Sequence, residues 1–454
     1  MSDTGRPERV EGQIGRDSLE TIAFKSIVYF GLTATGILLA RLLGAEGTGV
    51  LAFLLALLQT LEQVGNLGLP VANIYFIARH RERAAAVAGN AILTPILIGG
   101  TLSLGLFLAR EFVAREFLDG ADPVLVVLVL ALLPFRFLES NLYSLLRGSM
   151  RFRLWNLFQA ASPALDFVAL YLTIGVFGGG VTAAVAVRTA LGTILSIVLF
   201  VTVTRLMPIA FRFDLALLRE TLTFGVKSYF QVIASFLHHK IDLWFVAAIL
   251  STADVAHYAA AVGYTTLVWF VPDSIGLVLL PRLVLLDRGE IHRVTAFVTR
   301  CTFFVLAMAT AASVLCAPAV IPFLYGPEFG PSIEVAPILA FGILTMSVGK
   351  ILFRNFTSQA RQGINVVAGA VSLAVNVGLN AFLIPRFGIE GAAAATAVSY
   401  TLSSAILLAR FLFDSGLSIR ETLVPRGEDL REFFSVLAPF LSRRRGLAAR
   451  LGRR

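Results

Sequence analysis

The stretch "RFRLWNLFQAASPALDFVALYLTIGVFGGGVTAA", residues 151–184, occurs again in altered form as "RQGINVVAGAVSLAVNVGLNAFLIPRFGIEGAAAA", residues 361–395. With Arg361 set against Arg151, the two align without gaps. Ala160 meets Ala370, Ser162 meets Ser372, Asp166 meets Asn376 and Ile174 meets Ile384. Phe177, Gly178 and Ala183 meet Phe387, Gly388 and Ala393. Earlier in the chain "RLLGAEGTGVLAF", from Arg41, lies on "AILSTADVAHYAA", from Ala248, and Lys25-Ser26 on Lys227-Ser228. The offset widens between these two matches, so the later copy carries extra residues where "HHKID" stands, at 238–242.

What repeats is hydrophobic. Of 454 residues, 57% are apolar and 15% charged, against about 25% charged in soluble proteins. Mean hydropathy is +0.81. Bilayer crossing takes roughly 20 mainly apolar residues per helix. Such runs lie near 20–43, 48–75, 85–109, 123–146, 155–177, 180–204, 222–250, 254–280, 294–316, 334–356, 363–384 and 389–413. The runs are long and continuous, which excludes the short alternating strands of a membrane β-barrel. The expected fold is an all-α integral membrane protein of about twelve transmembrane helices, six to each copy.

Six is even, so both copies insert the same way up and form parallel repeats. The chain then divides into an N-terminal tail at 1–19, a first bundle at 20–205, a linker at 206–221, a second bundle at 222–413 and a basic tail at 414–454. Connections after the even-numbered helices are rich in arginine, from Arg79, Arg81 and Arg83 through Arg354 and Arg361. Those on the other side hold only Arg41, Arg110, Arg115 and Arg386. The positive-inside rule puts both termini in the cytoplasm of a multi-pass protein of the plasma (inner) membrane. The same bias explains the net charge of +9. The tail "SRRRGLAARLGRR" fits anionic lipid rather than nucleic acid. The N-terminus shows no signal peptide, so the first helix is expected to be its own insertion signal.

Polar residues inside the runs mark where water or a partner must lie. Lys227, Gln231, Ser235, His238 and Asp242 fall on one face of the seventh helix. A charge at a helix centre costs about 2.5–3.5 kcal/mol on insertion scales, so this face turns from lipid. Gln59, Glu62, Gln63 and Asn66 mark the second helix, Arg136 and Glu139 the fourth, and Asn365, Ser372, Asn376 and Asn380 the eleventh. Asp166, Arg188, Asp273, Arg300, Lys350 and Arg354 complete the set. Each group has a structural alternative. Arg136 and Glu139 suit a self-neutralised pair, the asparagines suit interhelical hydrogen bonds, and Lys25, Lys350 and Arg354 suit snorkelling to the interface. His238 and His239 do not make a metal site, since adjacent helical residues point about 100° apart. Cys301 and Cys316 read as buried, inert thiols. No cofactor is called for, and no P-loop supports ATP hydrolysis.

Repeated transporter folds hold substrate near the midplane between repeats. The candidate cavity residues lean cationic, and Lys25 and Lys227 are mates in the repeat. Lys25, Lys227, Arg136, Lys350 and Arg354 are therefore the candidates for an anionic head group. Gln231, His238, Asn376 and Asn380 are the polar candidates, and Glu62, Asp242 and Asp273 those for a coupling H+ or Na+. A membrane-embedded transferase would need an acidic metal cluster at a membrane face, and the loop "EFGPSIE" offers only Glu328 and Glu334.

Four motifs resemble a known family. "ARLLGAEGTGVLAF" (40–53), "HHKIDLWFVAAILSTADVAHYAAAV" (238–262) with "VPDSIGLVLLPRL" (271–283), "YGPEFGPSIEVAPILAFG" (325–342) and "NVGLNAFLIPRFGIEGAAAATAVSY" (376–400) are similar, in order, to motifs of the polysaccharide biosynthesis, or O-antigen repeat-unit flippase, family. Asp242 takes the place of that family's recurrent aspartate. The resemblance covers the chain to about Phe413 and places it in the multidrug/oligosaccharidyl-lipid/polysaccharide exporter superfamily. It implies a V-shaped pair of six-helix bundles working by alternating access. It also implies an undecaprenyl-pyrophosphate-linked oligosaccharide moved from the inner to the outer leaflet, with contacts to polysaccharide polymerase or export machinery. The lipid II flippases add two further helices that this chain lacks, which favours the O-antigen or exopolysaccharide branch. A cation-coupled drug or metabolite exporter of the same fold is the alternative.

Overall fold

The computed structural model describes residues 6–284 and 286–427, and every regular element among them is helical. The long elements are α1 (Arg6–Gly65), α2 (Leu69–Arg79), α3 (Ala84–Leu108), α4 (Arg110–Phe117), α5 (Val124–Gly148), α6 (Phe152–Leu170), α7 (Val181–Leu206) and α8 (Leu215–Ile249). There follow α9 (Thr252–Thr266), α10 (Phe270–Leu283), α11 (Arg288–Tyr325), α12 (Pro331–Ser358), α13 (Gln362–Ser415) and the short α14 (Ile419–Leu423). Among the described residues, nine helices are long and apolar enough to cross a membrane. Two of these hold two spans each, because α1 bends at Gly44 (φ 68°) and α13 at Gly388 (φ 58°). α9 and α10, joined through a 3-10 turn, supply the remaining span, which makes twelve.

Helices satisfy this segment because lipid offers no partner for backbone N–H and C=O groups. At the points where helices end, the same economy applies. Met150 and Ala360 both take φ 58°, the left-handed region that non-glycine residues rarely adopt. Behind each, the next N–H reaches back over the last turn: Arg151 to the Leu146 carbonyl and Arg361 to that of Phe356, both at 2.9 Å. Met150 and Ala360 themselves donate to Arg147 and Thr357 at 3.0 and 3.1 Å. This pattern of bonds closes a helix C-terminus. Its recurrence at the spacing that separates Arg151 from Arg361 carries the sequence repeat into the backbone. Gly178 (φ 64°) and Gly388 (φ 58°) repeat at the same spacing.

The described chain divides into two compact units. The first comprises residues up to 264 with 317–336 and 373–395. Its core gathers Phe76, Ile92, Leu142, Leu145, Leu199 and Leu217 from α2, α3, α5, α7 and α8. Two helix crossings in it depend on glycine. A Cβ on Gly49 would collide with the Thr252 carbonyl, and Gly68 and Gly225 meet backbone to backbone. Asp119 caps α9 from outside that helix, accepting from the Thr252 N–H at 2.7 Å and its hydroxyl at 2.8 Å. The second unit comprises 265–316, 337–372 and residues from 396 on. It packs Leu352, Phe356, Leu407 and Phe411 together. Cys301 is buried as expected, but Cys316 is exposed, because its position on α11 turns outward from the packed side.

Two glycine substitutions separate crowding from backbone strain. Gly49→Ala forces α1 and α9 apart and is expected to cost about 3 kcal/mol or more, as an overpacked core does. Gly388→Ala meets no atom within 4 Å and carries only the cost of a positive-φ backbone that glycine alone adopts readily, about 1–3 kcal/mol. Thermal unfolding in detergent should rank them in that order.

Candidate functional site

Five intramembrane charges of the first unit, Glu62, Arg136, Glu139, Asp166 and Arg188, are paired. Arg136, on α5, donates to Glu139 Oε2 at 2.6 Å and lies 3.2 Å from Glu62 Oε2 on α1. Glu139 Oε1 accepts from the Tyr143 hydroxyl at 2.8 Å. One guanidinium thus serves two carboxylates, and the trio is formally −1. On the neighbouring helices, Arg188 of α7 makes a two-pronged bond to Asp166 of α6, Nε to Oδ1 at 3.0 Å and Nη2 to Oδ2 at 2.7 Å. Such geometry suits a planar guanidinium facing a carboxylate.

Arg136, Glu139, Asp166 and Arg188 line a cavity of about 270 Å³ between α1, α5, α6 and α7. Its lining also includes Leu51, Leu54, Leu55 and Leu58 and the polar side chains of Gln59, Gln159 and Ser162. The sequence placed Arg136 among cations awaiting an anion. The structure instead holds it between two acids, which is the self-neutralised arrangement extended to a third residue on another helix.

A second polar group sits on α8, α9 and α13. Asp242 is 4% exposed and accepts from Asn380 Nδ2 at 2.6 Å and from the Tyr258 hydroxyl at 3.3 Å. Asn380 also donates to Asn376 Oδ1 at 3.0 Å. Here the sequence stripe of α13 and the aspartate of α8 come together as one buried network. Asn376 and Asn380 are fully buried, with Asn376 Nδ2 and Asn380 Oδ1 unsatisfied. His238 is buried on α8 with its ring edge-on to that of His239. The side chains of Lys25, Lys227 and Gln231 lie outside the described residues.

In the second unit Lys350, on α12, bonds Asp273 of α10 at 2.8 Å and sits 3.9 Å from the centre of the Trp269 ring. Trp269 is fixed by its own N–H, which donates to the Ile343 carbonyl at 3.1 Å. Arg354, one turn on from Lys350, packs its guanidinium against Gly276. Glu62 with Arg136 and Asp273 with Lys350 therefore make equivalent pairs, each joining the second helix of a copy to the fourth. Among the described residues no group of histidines, cysteines and acids could hold a metal ion.

A protein-family model described as polysaccharide biosynthesis protein matches residues 23–286. A curated relative from Haloferax volcanii, named the probable low-salt glycan biosynthesis flippase Agl15, is 23% identical over 198 residues, 43% of this chain. The match spans 42% of that relative's length. Among solved structures, the lipid II flippase MurJ in an inward closed conformation superposes with a TM-score of 0.74 at 14% identity, over 88% of this chain and 89% of that one. A multidrug resistance MATE family transporter of the MOP superfamily, inward-facing, gives 0.72 at 16% identity over 88% and 99%. At such identities the likeness is one of fold: the chain is a multi-pass membrane protein of this transporter architecture.

The uneven charge of the trio makes its two sides respond differently to substitution. Arg136→Leu strands two buried carboxylates and should cost about 3–5 kcal/mol. Glu62→Gln leaves a balanced pair and should stay within about 1 kcal/mol of wild type, since a neutral amide keeps the hydrogen bond. Unfolding midpoints of the two variants in detergent would check this.

Proposed function

We propose, from the premise that this chain belongs to the polysaccharide biosynthesis protein family, that it is a flippase for a lipid-linked oligosaccharide. The family match on a transporter fold is the observation that carries this reading. The substrate proposed is an O-antigen or exopolysaccharide repeat unit on undecaprenyl pyrophosphate. It moves from the inner to the outer leaflet of the plasma membrane by alternating access between the bundles at 20–205 and 222–413. The arginine bias of alternate connections supports cytoplasmic termini. Neither the family nor the fold is one of enzymes, and transport is the activity to be tested.

Lys25 and Lys227 are the proposed ligands of the pyrophosphate, because the repeat makes them mates and both lie near the cytoplasmic ends of their helices. Arg136 is set apart from them by its two carboxylates. Lys350 and Arg354 form a separate basic group in the second unit. There, protonation of Asp273 would free Lys350 from its ion pair, which links a coupling proton to a released cation. Asp242, with Asn376 and Asn380, is the alternative coupling site, and Na+ the alternative ion. Glu62 is the third candidate, since a proton on it would balance its trio. Polymerase or export machinery remains the proposed protein partner. One observation favours a second reading, a cation-coupled drug or metabolite exporter: the charges lining the cavity in the first unit are balanced rather than cationic, and the fold matches that of a drug exporter.

The deciding assay reconstitutes the protein in proteoliposomes with a prenyl-pyrophosphate oligosaccharide. Wild type should flip it, and Lys25→Ala/Lys227→Ala should lose at least tenfold in rate with insertion intact. A double variant as active as wild type would make those lysines interfacial anchors. Efflux of small organic cations by a wild type that flips no such lipid would establish the exporter.

A further inference from the structure

The cavity of the first unit is unsuited to the head group its arginines suggest. Arg136 and Arg188 bring two positive charges to the lining and Glu139 and Asp166 two negative ones, and Glu62, outside the lining, also pairs with Arg136. A pyrophosphate entering here would add two or more negative charges to a site whose cations are already neutralised, and could bind only by expelling a carboxylate from its guanidinium. In low dielectric that exchange is costly on both sides.

What the cavity does offer is a set of uncommitted polar groups. Gln59, Gln159 and Ser162 reach the lining and make no side-chain hydrogen bond among the described residues. The same lining carries Leu51, Leu54, Leu55 and Leu58 of α1. A lining that mixes aliphatic side chains with donors and acceptors suits a ring with C–H faces and a rim of hydroxyls. Ion-paired Arg and Asp side chains suit hydroxyls well, since one hydroxyl can donate to the carboxylate and accept from the guanidinium without changing the charge. A cavity of about 270 Å³ has room for a sugar ring.

The repeat supplies an internal comparison. Ser162 and Asp166 correspond to Ser372 and Asn376. In the later copy both are fully buried: Ser372 donates to the Ser399 carbonyl at 2.5 Å, and Asn376 accepts from Asn380. The same positions are therefore plugged in one copy and open in the other, with charge retained only in the open one. Helix packing alone would not require that difference.

We infer that the cavity among α1, α5, α6 and α7 is a sugar subsite, taking one neutral or amino-substituted pyranose ring of the glycan and rejecting its pyrophosphate. The assignment rests on the flippase reading for its biological ligand but not for its chemistry, so the two are separable by experiment. The full chain in nanodiscs would be probed by saturation-transfer NMR with glucosamine, N-acetylglucosamine and choline, and by 31P line broadening with inorganic pyrophosphate. Both sugars should receive saturation from wild type, and at least fivefold less from Ser162→Leu and from Gln159→Leu, each of which fills the cavity with an apolar side chain. Choline and pyrophosphate should show no change between wild type and variants. Sugar signals equal in wild type and both variants would overturn the subsite, as would a variant-sensitive signal from choline or pyrophosphate. In the flipping assay, variants with wild-type KM would likewise remove the subsite and leave the flippase standing. Sugar binding by a protein that flips no lipid-linked glycan would do the reverse.

Discussion

A bilayer gives an ionised side chain nowhere to go, and that constraint organises this molecule. Each charge in a spanning segment must find water, a snorkelling route or an opposite charge on another helix. Most described intramembrane charges here take the third course. Arg136 reaches Glu62 across from α5 to α1, Arg188 reaches Asp166 across from α7 to α6, and Lys350 reaches Asp273 across from α12 to α10. Each pair therefore fixes which helices adjoin and in what rotation. The pairs are cross-braces first, and whatever they do in transport is done by breaking or by presenting their remaining hydrogen-bonding capacity.

The economy of that arrangement shows where sequence reasoning succeeds and where it stops. Hydropathy located the long apolar helices because the bilayer imposes a length and a composition on each helix independently of its neighbours. The left-handed residues Met150 and Ala360 fell where the repeat aligned Arg151 with Arg361, since helix ends are set by local hydrogen bonding. Pairing is different in kind. A stripe such as Gln59, Glu62, Gln63 and Asn66 tells which face is polar, but not that Glu62 meets Arg136 while Asn66 accepts from Asn141 at 2.8 Å. The spacing of Arg136 and Glu139 did announce their pair, because three residues along a helix is one turn. Asp166 with Arg188 had no such signal: twenty-two positions and a helix-to-helix turn separate them. The short α4 and the outward turn of Cys316 were equally illegible, as both depend on what packs beside them.

Comparing the two copies shows which features are architectural. An acid on the second helix bonded to a base on the fourth occurs in both, with Glu and Arg in one and Asp and Lys in the other. Exchange of residue type with retention of the bond is what a brace requires. On the fifth and sixth helices the copies diverge. Asp166 keeps its arginine and faces a cavity, while its counterpart Asn376 is turned into a buried amide network around Asp242. Divergence at equivalent positions in a common scaffold is where distinct tasks are expected: one copy open to a polar ligand, the other carrying a buried carboxylate that accepts from amide and hydroxyl donors.

The sign of the charge then constrains how a lipid-linked glycan could be handled. Its two polar parts make opposite demands, since pyrophosphate needs net positive charge and a sugar ring needs balanced donors and acceptors. A single cavity lined to satisfy both would bind neither well, because a cation strong enough for the phosphate would be left unpaired in lipid whenever the site stood empty. Paired charges within the membrane avoid that penalty. The ion pairs stay neutralised at depth whether or not a ligand is bound. On this view a cavity whose charges are already paired is no obstacle to an anionic substrate. It is the part of the site that the anion never has to enter.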